Sequence, residues 1–266
     1  EGLDQLPDGK FLPPMKMNCV ETEAKQKIEK AFPTRKMIIG RCANLTEPTK
    51  EHLELGRGRC QYRNECEKGC SFGASFSSLS ATLPAARRTN NLTTVTDAIV
   101  HSVTYDNVSK RATGVKIIDA NTKDYRQYSG RIIFLCASTL GSTQIMLNSI
   151  SESFPNGVAN SSDTLGHYLM DHIFMSGARG EHPGFQENYY SGRRPNGIYI
   201  PRYRNVTEQD DRFLRGYGFQ GGASRPNWRR GLNMQGIGLE LKEKLREPGS
   251  WQFHLGGFGE MLPDKR

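Results

Sequence analysis

Long apolar runs are missing from this 266-residue chain. The longest, Ile132 to Ala137, falls well short of the ~18 residues that a membrane-spanning helix needs, so no such helix is expected. An excess of acid is missing too. Lys and Arg number 36 against 28 Asp and Glu, which leaves a net charge of +8. The basic residues are scattered in pairs, such as Arg57 and Arg59, Arg87 and Arg88, Arg193 and Arg194, and Arg229 and Arg230. No run reaches five, which argues against a nucleic-acid face, because such faces are marked by patches rather than totals. No internal repeat is present, which excludes a solenoid. Hydrophobic residues make up 36% against 24% charged, so the chain is not disordered by composition. The abundance of glycine, with 28 residues, and of proline, with 13, indicates many turns.

Along the chain, residues 1–18 are Pro-rich and read as an extended loop. Glu21 to Phe32 places Ala24, Ile28 and Ala31 or Phe32 on one helical face, and Pro33 ends the helix. Lys36 to Cys42 reads as a short strand. A helix is expected from about Ala74 to Arg88, kinked or interrupted at Pro84. Leu92 to Asp106 and Ala112 to Ala120 are rich in β-branched residues around a polar turn and read as a β-meander. Arg131 to Ala137 reads as a strand covered on both faces. Gly141 to Asn148 reads as a helix, with Ser138 and Thr139 at its cap. Beyond about Ile173, Ile198–Ile200, Phe213–Ala223, Ile237–Leu241 and Trp251–Phe258 read as a mainly antiparallel sheet with long loops. The fold class is therefore α/β plus α+β. Three regions are expected: 1–75 as a Pro- and Cys-rich connecting and lid region, 76–175 as part of a nucleotide-binding domain, and 176–266 as part of a second domain.

A buried strand that delivers a small-residue turn into a helix is how α/β folds present backbone to a nucleotide, and Ala137, Ser138, Gly141 and Ser142 permit close approach. The literal G-x-G-x-x-G at Gly216 to Gly221 follows no buried strand, and Pro226 stops any long helix after it, so it reads as a glycine-rich strand. Cys60, Cys66 and Cys70 form C-x5-C-x3-C in a loop where Arg59, Arg63 and Lys68 would stabilise thiolates. Zinc usually wants closer pairs and a fourth ligand. Three thiolates suit a three-iron cluster better, while a disulfide within the loop or unpaired thiols remain alternatives. Cys19, Cys42 and Cys136 read as buried or free thiols. His172 and His254 are weak candidates for a general base or a substrate contact. Trp228 and Trp251 are expected in the core or at a rim more than stacked on a sugar ring.

Leu83-Pro84-Ala85-Ala86, Arg88 to Thr93, Ala98-Ile99-Val100, Asp106 and Thr113-Gly114-Val115 together resemble one continuous run of the glucose–methanol–choline oxidoreductase family. Arg131 to Ala137 with Gly141-Ser142 and Leu147-Asn148-Ser149 resembles the family's next block, and Leu165 to His172 the one after. Gly2-Leu3-Pro7-Asp8-Gly9-Lys10-Phe11-Leu12 and Asn196 to Arg202 are similar to a bacterial branch that includes sugar and gluconate dehydrogenases and is distantly similar to pyranose oxidase.

The resemblance implies FAD on a partial Rossmann-like domain, beside an antiparallel-sheet substrate domain, with oxidation of a CH–OH group of a sugar or other alcohol. By position it implies that Ala98, Ile99 and Val100 lie at the adenine end and that Ala137 and Ser138 lie near the ribose–pyrophosphate. The family's G-x-G-x-x-G and its catalytic histidine do not occur in these residues, so no catalytic residue is assigned and this piece alone is expected to be inactive. The cysteine spacing also resembles the cluster-bearing subunit of FAD-dependent glucose dehydrogenases, with Gln61 in place of an adjacent cysteine. That implies a cytochrome or quinone electron acceptor. A flavin-less carbohydrate-binding module derived from the same fold is the alternative.

Overall fold

The structure, a computed structural model, describes residues 9–63, 66–188, 197–226 and 228–265. Gly2, Leu3, Pro7, Asp8, Arg193, Arg194 and Asn196, which the sequence argument used, lie outside the described residues. The chain divides into two compact units. Unit one joins the residues up to Asn91 with His172–Met261; unit two is Leu92–Asp171 with the last five residues.

Unit one is built on helix α1 (Cys19–Ala31) and a five-stranded antiparallel sheet. Its strands run in the order β1 (Ile38–Ile39), β6 (Ile198–Ile200), β7 (Tyr217–Ser224), β8 (Trp251–Glu260) and β5 (His172–His182). The helix starts at Asn18 with a full capping box. The Glu21 N–H donates to Asn18 Oδ1 at 3.0 Å, and the Asn18 N–H donates to Glu21 Oε2 at 2.9 Å, which satisfies two N-terminal donors at once. The same pair holds the edge of β7. The Ala223 N–H donates to Glu21 Oε1 at 3.1 Å, and Asn18 Nδ2 donates to the Ala223 carbonyl at 2.8 Å. Glu21 is thus a buried carboxylate whose hydrogen bonds offset its desolvation.

Ala24 and Ile28 pack where the helical period puts them, against Met37, Ile198 and Ile200 with Phe219, Phe253 and Leu255. Val20, Ala223 and Trp251 form the adjoining cluster. Phe32 stays exposed, because the helix ends at Ala31 and the chain turns away at Pro33. The unit also carries the short helix α2 (Lys50–Glu54). A π-turn at Ser78–Thr82 leads into α3 (Leu83–Arg88). Pro84 lies in the first turn of α3, where its missing N–H leaves no helical bond unmade. The expected interruption is therefore a change of helix type just before the proline. Ile237–Leu241, expected as a strand, instead opens α5 (Gly238–Arg246). Its Leu, Glu and Lys residues are strong helix formers, and Lys244 pairs with Glu240 one turn back at 2.5 Å.

Unit two is the expected meander with one strand more: β2 (Ala98–Asp106), β3 (Arg111–Asp119) and β4 (Tyr125–Ser129), all antiparallel. Helix α4 (Ser138–Asn148) packs on β2. The buried Ser149 joins them, since its hydroxyl donates to the Ile145 carbonyl at 2.6 Å and accepts from the Val103 N–H at 2.8 Å. Arg131–Ala137 forms no strand, which corrects the expectation of a strand buried on both faces. Ile133 and Leu135 are half-buried, whereas Ile132 and Phe134 are 74% and 81% exposed. No described strand offers this segment a ladder, and a strand exists only as a partner in one.

Candidate functional site

In unit two, the start of the meander and the turn into α4 border one cavity of ≈ 450 Å³. Val100 on β2, Gly114 and Val115 on β3, and Tyr128 and Ser129 on β4 meet the Ile132–Ala137 run there, with Ile145 of α4 behind. Val100 and Ala137, two of the five residues singled out for the cofactor, line this one space. Ala98 and Ile99 start β2 outside the lining, and Ile99 is 56% exposed. A β-bulge between Val100 and Ser102 adds a residue to β2 beside Val100 and re-aims the strand locally. Gly114 is needed for β4 to lie close, because a Cβ there would sit 2.2 Å from the Tyr128 carbonyl oxygen.

Ser138 also lies outside the lining, at the mouth of α4. It adopts a left-handed backbone, φ 61°, a strained conformation for a residue with a Cβ. Helix α4 is not capped by Ser138 or Thr139 as expected; Ala137 holds the N-cap position, and no side chain accepts from the first turn. The first-turn N–H groups therefore remain available to an anion. Cys136 lines the cavity and is exposed, as is Cys42, and Cys19 is half-buried beside the Trp251 cluster; none of the three is in a disulfide, in line with the reading of buried or free thiols. The left-handed Ser138 and the β4 wall were not legible beforehand. β4 is short and exposed at every residue, so its sequence has no inward–outward alternation to detect.

In unit one, the three cysteines lie on a loop knitted by backbone hydrogen bonds. The Cys60 N–H donates to the Leu45 carbonyl, Leu45 N–H to Ala74, Gly58 N–H to Phe72, and Gly73 N–H to Cys70, all within 3.0 Å. Cys60, Cys66 and Cys70 are each half-buried. Burial pushes the Cys70 thiol up, but the N–H groups of Ser75, Phe72, Ala74 and Gly73 more than offset it and leave the group below the ordinary thiol value. The expected help from Arg59, Arg63 and Lys68 is secondary to these amides; Arg63 lies over the Phe72 ring at 5.6 Å. Arg57, buried, donates through Nε to the Gly73 carbonyl at 2.9 Å and through Nη2 to the Ala74 carbonyl at 3.4 Å. In a trans peptide the C=O and N–H point in opposite directions, so this grip turns the Ala74 and Ser75 amides toward Cys70. Among the described residues, no three His, Cys, Asp or Glu side chains gather into a metal-binding group.

The weaker candidates resolve individually. Gly216–Gly221 runs into strand β7 (Tyr217–Ser224), a glycine-rich strand as expected. Trp251 is 1% exposed and is core, with its Nε1–H donating to the Phe185 carbonyl, while Trp228 is 69% exposed. His172 opens β5 beside Phe258, and His254 lies exposed on β8.

A family model described as GMC oxidoreductase matches residues 1–174. The fructose dehydrogenase large subunit of Gluconobacter japonicus is 23% identical over 79% of this chain, which covers 37% of that protein. The 2-methyl-1,2-propanediol dehydrogenase of Mycolicibacterium austroafricanum is 30% identical over 41% of this chain and 20% of its own length. The chain thus spans well under half the length of the curated relatives it matches.

Proposed function

The chain belongs to the GMC oxidoreductase family, and from that premise we propose that it is part of an FAD-dependent oxidoreductase that oxidises a CH–OH group of a sugar or other alcohol. The family match carries the reading, and the cavity supports it. The residues present suit a dinucleotide: an apolar wall at Val100, Val115 and Ile145, close backbone at Gly114 and Ala137, and a helix mouth with no side-chain cap.

Val100, with Ala98 and Ile99 beside it, takes the adenine end. Ala137 and Ser138 bring backbone to the ribose and pyrophosphate, with the α4 amides facing the negative charge. Bound FAD supplies the hydride acceptor. The described residues bind, orient and exclude water; the base that removes the hydroxyl proton is assigned to none of them. The antiparallel sheet of unit one forms a wall of the substrate site. These 266 residues alone do not turn over. Electrons leave for a cytochrome or quinone partner.

A three-iron cluster on Cys60, Cys66 and Cys70 is the finer part of the proposal. It requires the loop to close around three sulfurs, so no step of the chemistry is routed through it. Iron analysis of anaerobically purified full-length protein tests it, with about three irons per chain expected.

The absorption spectrum of the full-length protein tests the main reading. Flavin bands that bleach without oxygen on adding a sugar or vicinal diol are expected. A colourless protein that binds no flavin overturns it.

A further inference from the structure

Between β7 and β8 the chain leaves the unit-one sheet in an excursion over residues 228–249. A 3₁₀ helix over Trp228–Asn233 and α5 pack chiefly on each other rather than on the strands. Two arginines close the base. Buried Arg225 donates through Nε to the Gly249 carbonyl at 2.8 Å. Arg230 donates through Nη2 to the Lys244 carbonyl at 3.2 Å and to that of Glu247, which takes up free carbonyls at the end of α5. Leu241 and Leu245, one turn apart on α5, are half-buried. Leu245 reaches Gly231, where a Cβ would sit 2.9 Å from its Cδ1. The excursion thus has a small interior of its own.

Its outer side chains are large and apolar. Trp228, Leu232, Ile237 and Leu239 are each at least 66% exposed. Ile237, at 87%, stands in the turn between the two helices, flanked by the left-handed Gly236 (φ 119°) and Gly238 (φ 62°). Folding gains nothing from these four side chains in water, and apolar residues concentrated in this way mark a contact surface. The charge around them is positive. Residues 228–246 hold five Lys and Arg against two Glu, and Glu240 is already paired with Lys244. Lys242 and Arg246 are exposed one turn apart on α5, and Arg229 is exposed next to Trp228. Tryptophan and aliphatic side chains bordered by Lys and Arg suit a bilayer interface, where the apolar groups pass below the headgroups and the cations stay with the phosphates. The core of a protein–protein contact, by contrast, is depleted in lysine.

We infer that this excursion docks unit one onto an anionic phospholipid surface, with Trp228, Leu232, Ile237 and Leu239 entering the headgroup layer and Arg229, Lys242 and Arg246 on the phosphates. Peripheral contact of this kind needs no membrane-spanning helix, and it is independent of the flavin chemistry.

Co-sedimentation of the full-length protein with vesicles of phosphatidylcholine, alone or mixed with phosphatidylglycerol, tests this. The protein is expected to bind the mixed vesicles well ahead of the neutral ones, and to bind them more weakly at high salt. Ile237→Glu and Trp228→Ala are each expected to weaken binding about tenfold or more, whereas Ile237→Leu keeps it. Lys242→Glu combined with Arg246→Glu is expected to weaken binding to the mixed vesicles about tenfold. All four side chains are exposed, so the melting temperature should hold throughout. No binding to either vesicle, or wild-type binding by both Ile237→Glu and Trp228→Ala, overturns the inference. A dimer in analytical ultracentrifugation that Ile237→Glu splits, with vesicles ignored, puts a second copy on the patch and overturns the lipid assignment. Vesicle binding is read with or without flavin on the protein, so its failure leaves the oxidoreductase reading standing.

Discussion

The two units use β-structure in opposite ways. Unit one covers one face of its sheet with α1 and seals it with Met37, Ile198 and Trp251, each exposed by 1% or less. Unit two buries little, chiefly Ile117, Ile145, Ser102 and Ser149, and leaves Ile132, Phe134, Leu140 and Ile150 more than two-thirds exposed. Stability in unit one therefore comes from packed apolar volume. In unit two it comes from strand pairing, turns and two buried serine hydroxyls. Unit one has bare apolar side chains as well, Leu79, Leu232 and Ile237 among them, so the difference between the units lies in the sealed core and not in the exposed surface.

The largest expected effect breaks that contrast directly. Met37→Ala opens a cavity in the unit-one core and should destabilise by about 2–5 kcal/mol. Phe134→Ala, at an exposed site in unit two, should change stability by less than about 0.5 kcal/mol. Urea unfolding followed by Trp251 fluorescence and by circular dichroism measures both, and comparable losses would remove the distinction.

Next in size, Gly114→Ala forces a Cβ onto the β4 backbone and should cost about 1–3 kcal/mol, seen as faster amide exchange through β3 and β4 only. Asn18→Ala removes the α1 cap and the donor to Ala223, with a loss of about 1–2 kcal/mol in unit one. Trp251 fluorescence during unfolding reads it.

The smallest effect is acid sensitivity of the meander turns. The hydroxyl and N–H of Ser109 and the N–H of Val108 hold Asp106 below its usual range. The N–H groups of Thr122 and Asn121 do the same for Asp119 against slight desolvation, with Arg126 adding its charge at 3.0 Å. A lowered carboxylate contributes stability above its unfolded value, near pH 4, and loses it as pH falls through the lower folded value. Amide exchange in the two turns should therefore quicken on acidification below about pH 4. Asp106→Asn and Asp119→Asn should flatten that response without altering the Trp251 signal.

Much of this was legible locally. Ala24 and Ile28 repeat at the helical period and lie on the core; β-branched runs became β2 and β3; the Gly216–Gly221 run proved a strand as read. The failures share a cause. Ile237–Leu241 had strand-like apolar ends, but the Glu, Leu and Lys that follow favour a helix. Arg131–Ala137 carried a strand's composition, yet a strand exists only with a partner, and composition does not supply one.

Local spacing and composition thus determined most element types and their order, because the periods of helix and strand are written in a few consecutive residues, while the family came from the resemblance of whole blocks in order. Tertiary structure alone decided the rest: Trp251 in the core and Trp228 outside it, Ser138 left-handed at the mouth of α4, Val100 and Ala137 on one cavity, Gly256 beside Gly177. Each of these depends on register or backbone contact between residues far apart in the chain, and no local pattern encodes that pairing.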